Sequence, residues 1–311
     1  MNLLFLSLTV GAIAFDPRAL LAVSDDKPTS GKAVIPGGYG PPKTEPVKAE
    51  PAQSGSSGND SKTCPEVWTK IAAEFKKDFA GCNNLARSAI RFAFHDSGAY
   101  SSKNEPYAPA SGGADGSLLL NEEEISREAE QSMKSQFRDP YLLPAYKKYK
   151  DQGVSAADIV QFAGSVGVRS CKIEHGYPGL VIRTVVGRRE SSKAAPDGNL
   201  PAAFGPNSTA DVLIKLWEDK GFSARELAAL VGAHSTSTAF AQTKHGVPEG
   251  GQQDDTPTTW DNNYFKVQQA DKVPKNVYRF ESDMNLATQN DTTKAAPFSS
   301  LVSLAFPQQM R

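Results

Sequence analysis

The stretch RFAFHDSGAY, residues 91–100, governs how the rest of the chain is read. It sets a permanent cation, an aromatic ring, an imidazole and a carboxylate close together, as Arg91, Phe94, His95 and Asp96. A helix from about Asn84 to His95 puts Arg91 one turn before His95, so both side chains share a face. A helical histidine is by default a packed core residue, and only partners elsewhere in the chain give it another role.

The segment LAALVGAHS ends on a second histidine, His234, at the close of another helical stretch. Two inward histidines far apart in a helical chain suit a cofactor held between helices. Haem would use one as iron ligand and the other as a base. Two core histidines, or zinc ligands, are the alternatives. His175 and His245 lack the spacing that would complete a zinc site.

Helical signals dominate from Cys64 onward. CPEVWTKIAAEFKKDF carries an apolar stripe of Val67, Ile71, Phe75 and Phe79. SAADIVQFAGSVGV opens with the capping pair Ser155 and Asp158, STADVLIKLWEDKG with Ser208 and Asp211, and SARELAALVGAHS with Ser223 and Glu226. Gly221 is placed to end the second of these. LVIRTVVG, residues 180–187, is the best short strand signal. The fold class expected is mostly α-helical.

Composition narrows the setting. The 311 residues carry 34 Lys and Arg against 35 Asp and Glu, a formal net charge of -1. No basic run interleaved with aromatics points to nucleic acid. LLFLSLTVGAIA is too short to span a bilayer and ends in the small-x-small triplet Ala12-Ile13-Ala14, so residues 1–14 read as a signal peptide. A buried first helix is the alternative. Residues 15–62, with PGGYGPPKTEP at their centre, read as a disordered linker or pro-region, and residues 63–311 as the folded domain. Sequons at Asn59, Asn207 and Asn290 suit a secreted glycoprotein. No other apolar run is long enough for a membrane span, and three cysteines are too few for a disulfide scaffold.

Taken together, the motifs resemble those of the plant, fungal and bacterial haem peroxidase superfamily. RFAFHDSG resembles the distal signature and ELAALVGAHSTS the proximal one. GGADGS at Gly112–Ser117, GRRES and APDGNLP from Gly187, and WDNNYF from Trp260 follow in the family's order. The likeness covers nearly everything after Cys64. Phe94 before the distal histidine is similar to the secreted fungal (class II) members, whereas the intracellular class carries Trp there.

The resemblance implies haem b between the distal and proximal helices, two calcium ions, a monomer, and oxidation of small phenols or other aromatic reductants by hydrogen peroxide. His95 would move the peroxide proton as general base and then acid. Arg91 would stabilise charge on the leaving oxygen. Phe94 would wall the distal pocket, and Gln131 stands where an Asn usually orients the distal histidine. His234 would be the axial iron ligand, made electron-rich by a hydrogen bond to Asp283. Asp96, the Gly113 carbonyl, Asp115 and Ser117 would bind the first calcium, and Ser235, Asp254, Thr256 and Asp261 the second. Cys82 and Cys171 match one family disulfide and leave Cys64 unpaired.

Departures from the family are as telling as matches. Gln253 replaces an aromatic residue that commonly precedes the first proximal calcium aspartate. The chain ends at Arg311, before the family's last helix would be complete. Asn84, Ser88 and Phe240 replace the acids of manganese-oxidising members, Ala229 the surface Trp of lignin-oxidising members, and Thr243 the Arg of ascorbate-type enzymes. What remains is a general peroxidase of small phenols. A haem-binding pseudoperoxidase with little turnover is the alternative that Gln131 and the short C-terminus leave open.

Overall fold

In the computed structural model the described residues are 64–103, 112–173, 182–240 and 242–288. The signal segment 1–14, the linker 15–62, Asn59, His175, Asn290 and the chain beyond 288 lie outside them.

The predicted apolar stripe becomes α1, Glu66–Asp78, with Val67, Ile71 and Phe75 buried along one face and Phe79 just past its end. α2, Asn84–Gly98, runs three residues beyond His95. Asn83 caps it by accepting the Ala86 N–H at 3.1 Å. Short helical pieces follow: α3, Ser117–Leu120, α4, Glu122–Ile125, and α5, Gln131–Met133. A wider-pitch turn over Lys134–Leu142 accommodates Pro140, which has no N–H to give a tighter ladder, and leads into α6, Leu143–Tyr149.

α7, Ala156–Ser170, packs along α2. The approach depends on two glycines of α7. A Cβ on Gly164 would lie 2.5 Å from Ala93 Cβ, and one on Gly167 would lie 2.5 Å from the Ala86 carbonyl oxygen. Gln161 ties the pair further, its amide donating to the Ala93 carbonyl at 3.2 Å and to Ser97 Oγ at 2.8 Å. α1, α2, α6 and α7 share one apolar core, with Ile71, Phe75, Phe92, Phe137 and Ile159 at its centre.

Four later helices build a second core: α8, Ala210–Asp219, α9, Ala224–Val231, α10, Asn263–Gln269, and α11, Glu281–Thr288. Leu213, Ile214, Trp217, Leu227, Tyr264 and Leu286 fill it. α9 starts with the expected capping box of Ser223 and Glu226. The other two boxes differ from expectation. Ser155 does cap α7, but the Asp158 carboxylate turns away to accept the Gly187 N–H at 2.7 Å and the Arg188 guanidinium at 2.9 Å. α8 begins one residue later, after Thr209, because the Ser208 hydroxyl donates backward to the Gly205 carbonyl at 2.8 Å.

The strand expected in LVIRTVVG does not form over its described residues, 182–187. Side chains of α7 hold this stretch instead: the Asp158 carboxylate accepts the Gly187 N–H at 2.7 Å, and Ser165 Oγ accepts the Thr184 hydroxyl at 2.9 Å. The strands that do occur are two residues long. β1, Lys172–Ile173, pairs parallel with β4, Thr259–Trp260; β2, Thr238–Ala239, pairs antiparallel with β3, Gly251–Gln252. Beside the first pair, Cys82 and Cys171 form a disulfide in a small third core with Val168 and Trp260. Cys64 is free and exposed.

Candidate active site

Between the two large cores lies a cavity of about 380 Å³, within the range of cofactor pockets. Its walls are mainly apolar, with Phe94, Leu213, Leu230, Val231 and Phe280 among them. Arg91 and His95 enter from α2, and His234 enters from the turn after α9. The structure thus gathers on one cavity residues more than a hundred positions apart.

On the distal side, Arg91 Nε approaches His95 Nε2 at 3.4 Å. The Arg91 guanidinium also donates to Ser132 Oγ and to the Ala129 carbonyl, each at 3.0 Å. His95 Nδ1 faces the Glu130 carboxylate, 3.0 Å from Oε1, the better-aligned acceptor, and 2.9 Å from Oε2. Glu130 is buried. Burial alone would raise its carboxyl, but His95, Arg91 and Arg127 outweigh this and hold it below the ordinary value. Phe94 meets His95 edge-on at 5.4 Å and stacks on Trp217 at 6.0 Å, so it forms part of the expected distal wall.

Gln131 is not in this pocket. It is exposed, and its amide donates to the Ser126 carbonyl at 3.2 Å. α5 starts at Gln131, and the turn before it points residue 130 inward and residue 131 outward. The side chain that reaches His95 is therefore Glu130, one residue before the expected Gln131.

On the proximal side the same pattern recurs. His234 Nδ1 lies 2.9 Å from Asp283 Oδ2, and Asp283 is buried. Nδ1 is therefore taken, leaving Nε2 as the nitrogen free for a metal. Tyr264 and Phe280 meet the His234 ring edge-on at 5.8 and 5.7 Å. Burial drives the Tyr264 hydroxyl well above its ordinary range, and the Asp283 carboxylate, its hydrogen-bond partner, adds to that. Gln253, buried, is a further member: Ser237 holds its carbonyl, which directs the amide nitrogen to within 3.4 Å of Asp283 Oδ2.

Residues 67–297, most of the chain, match the family model of the peroxidases. The chain belongs to the peroxidase family. It is similar to a versatile peroxidase of Pleurotus eryngii, 30% identical over 190 residues that cover 60% of this chain and 47% of that protein. A ligninase of Phanerodontia chrysosporium is 31% identical, with 64% of this chain and 51% of that protein covered. A putative L-ascorbate peroxidase of Arabidopsis thaliana is also 31% identical, with 68% and 53% covered. The fungal peroxidases that the motifs resembled thus stand beside plant ascorbate peroxidases. The chain spans about half the length of the curated relatives it matches.

Two acidic clusters lie beside His95 and His234. Next to His95, the fully buried Asp96 accepts the Gly116 N–H at 3.1 Å, and Asp115 accepts the Ser117 N–H at 3.0 Å. The Gly113 carbonyl is turned onto the Asp115 N–H at 2.8 Å. Burial raises the Asp96 carboxyl well above its usual range, and the charges of Asp115 and Glu124 add to this. Ser117 Oγ is buried with no hydrogen bond of good geometry. Next to His234, Ser235 Oγ donates to Asp254 at 3.1 Å, and Thr256 Oγ1 lies 3.0 Å from Asp254 and 2.6 Å from Asp261. Burial pushes Asp254 up to about 6. Crowded carboxyls with hydroxyls between them suit a hard cation. Among the described residues no three His, Cys, Asp or Glu side chains converge as a metal cluster, so a cation would also draw on hydroxyl and carbonyl oxygens.

Proposed function

We propose that this chain is a haem-dependent peroxidase that reduces hydrogen peroxide at the expense of small phenolic or other aromatic donors. One observation carries the reading: two histidines flank a single apolar cavity, each with Nδ1 on a buried carboxylate and Nε2 left for chemistry. The cavity's size, its apolar walls and the open His234 nitrogen fit haem b.

Bound haem would supply an iron at which peroxide is reduced and from which two donors are oxidised in turn, one electron each. The protein's part is proton handling and charge. His95 Nε2 takes the proton of the inner peroxide oxygen and returns it to the outer one, so that water leaves. Arg91, cationic at every working pH, stabilises the charge that grows on the departing oxygen. Asp283 fixes the His234 tautomer and makes Nε2 a stronger ligand. Phe94 and Leu213 add apolar surface to the pocket wall.

Calcium is proposed at Asp96, Gly113, Asp115 and Ser117, and again at Ser235, Asp254, Thr256 and Asp261. Each set adjoins one of the two histidines and would brace the chain that carries it. A secreted location is proposed from the segment before Phe15 together with the Cys82–Cys171 bond, which belongs to oxidising compartments. The exposed Asn207 is then a glycosylation acceptor. No helix of the described residues is long and apolar enough to cross a membrane.

The test is haem reconstitution of the full chain followed by peroxide and a phenol. A Soret band and phenol oxidation are expected. A Soret band without reaction would mark a haem-binding pseudoperoxidase, and no band at all would overturn the reading.

A further inference from the structure

We infer that Glu130 is the positioning residue of the distal pocket: its buried carboxylate fixes the tautomer and aim of His95. This rests on the reading of His95 as the proton acceptor. The two nitrogens of a neutral imidazole differ, and the hydrogen bond made by one decides which carries the proton. A carboxylate held ionised only accepts, so it demands the proton on Nδ1. Glu130 is held below the ordinary carboxylate value despite its burial, first by its contact with His95 and then by Arg91 and Arg127. Nε2 then keeps its lone pair and faces Arg91 Nε, a donor at 3.4 Å.

The turn that carries Glu130 does more than hold the base. Ala129 and Ser132, on either side, fix the Arg91 guanidinium through two hydrogen bonds of 3.0 Å. One four-residue segment therefore sets both the proton acceptor and the cation that work on the same bond. It also gives the distal histidine a carboxylate partner like the one Asp283 gives the proximal histidine, at closely similar distances. The Gln131 side chain plays no part, since it is spent on the Ser126 carbonyl outside the pocket.

The experiment uses the full chain in two forms. Loaded with zinc protoporphyrin, a diamagnetic stand-in for haem, and labelled with ¹⁵N in its histidine rings, it reports the His95 tautomer by NMR, the signal being assigned by its loss in His95→Ala. Loaded with haem, it reports the peroxide reaction by stopped flow. The wild type and Glu130→Gln, which keeps an acceptor, are expected to hold the proton on Nδ1. Glu130→Ala is expected to lose that preference and to react about 10–100-fold more slowly, the usual cost of removing an orienting partner. Glu130→Met replaces it should the truncated variant not fold. Gln131→Ala is expected to leave both readouts unchanged. An unaltered tautomer in Glu130→Ala or Glu130→Met, a lost one in Glu130→Gln, or an altered one in Gln131→Ala overturns the assignment. A wild-type protein that binds haem but ignores peroxide would defeat the peroxidase reading alone, because the ring tautomer still judges Glu130.

Discussion

At the scale of single residues, the proposed chemistry is tested at His95 and at the acids beside the two histidines. His95→Ala is expected to bind haem normally and to react with peroxide about 10²–10⁴-fold more slowly, the span of a general acid–base contribution. Stopped-flow formation of the oxidised haem at a near-normal rate would contradict the role. The acids make a second prediction. Asp96 and Asp254 are raised by burial, so the folded chain holds their protons more tightly than the unfolded chain does. Their contribution to stability therefore falls as pH rises from the ordinary carboxylate range through the folded value, about 6 for Asp254. Calcium needs the ionised carboxylates and works in the opposite sense. Chelated protein should lose melting temperature from these groups between about pH 4 and pH 6, and the gain from added calcium should grow over the same interval. A calcium effect that does not vary with pH would exclude these clusters as its site.

At the scale of elements, the contact of α2 with α7 sets where Arg91 and His95 stand. Gly164 and Gly167 let the helices approach until backbone meets backbone. Gly167→Ala forces a Cβ against the Ala86 carbonyl and should cost about 1–3 kcal/mol, as overpacking does. Because α2 must shift to admit the methyl, the peroxide reaction should slow as well. Chemical denaturation and stopped flow on the same variant check both effects, and wild-type values for each would show that the helices are free to move apart. Ser223→Ala tests a different device. It removes the α9 capping box and is expected to cost about 0.5–2 kcal/mol.

At the scale of the whole molecule, the Cys82–Cys171 disulfide joins positions 89 residues apart and ties the start of α2 to the end of α7. A loop of that length is constrained strongly in the unfolded chain, so Cys82→Ser should lower stability by about 2–5 kcal/mol. Urea titration of the variant, and of the reduced wild type, measures it. Thiol labelling of the native unreduced protein should find Cys64 alone, since it is exposed and unpaired. Labelling of more than one thiol would mean that the bond does not form in solution.

Much of this was legible from the chain alone. Helical periodicity located α1, the capping pair Ser223 and Glu226 marked α9, and the two histidine motifs announced a pocket between helices, because each signal is local and follows from backbone geometry. What escaped the sequence depended on contacts made at a distance. The Asp158 carboxylate looked like half of a capping box until residues 187 and 188 offered it better donors. LVIRTVVG has strand composition, but its described residues, 182–187, meet no ladder, and a strand exists only where a neighbour supplies hydrogen bonds. Gln253 showed itself only as a departure from the family, and its place beside Asp283 depends on a chain reversal. Glu130 and Gln131 are adjacent, both long and both polar, so composition cannot rank them. The phase of one turn before α5 sends the first to His95 and the second outward. The sequence by itself determined the periodic and capped helices, the family and which groups are candidates for the reaction. The tertiary structure decided that Glu130 and not Gln131 faces His95, and that Gln253 joins the Asp283–His234 pair, because orientation is a property of packing between segments that the chain order keeps apart.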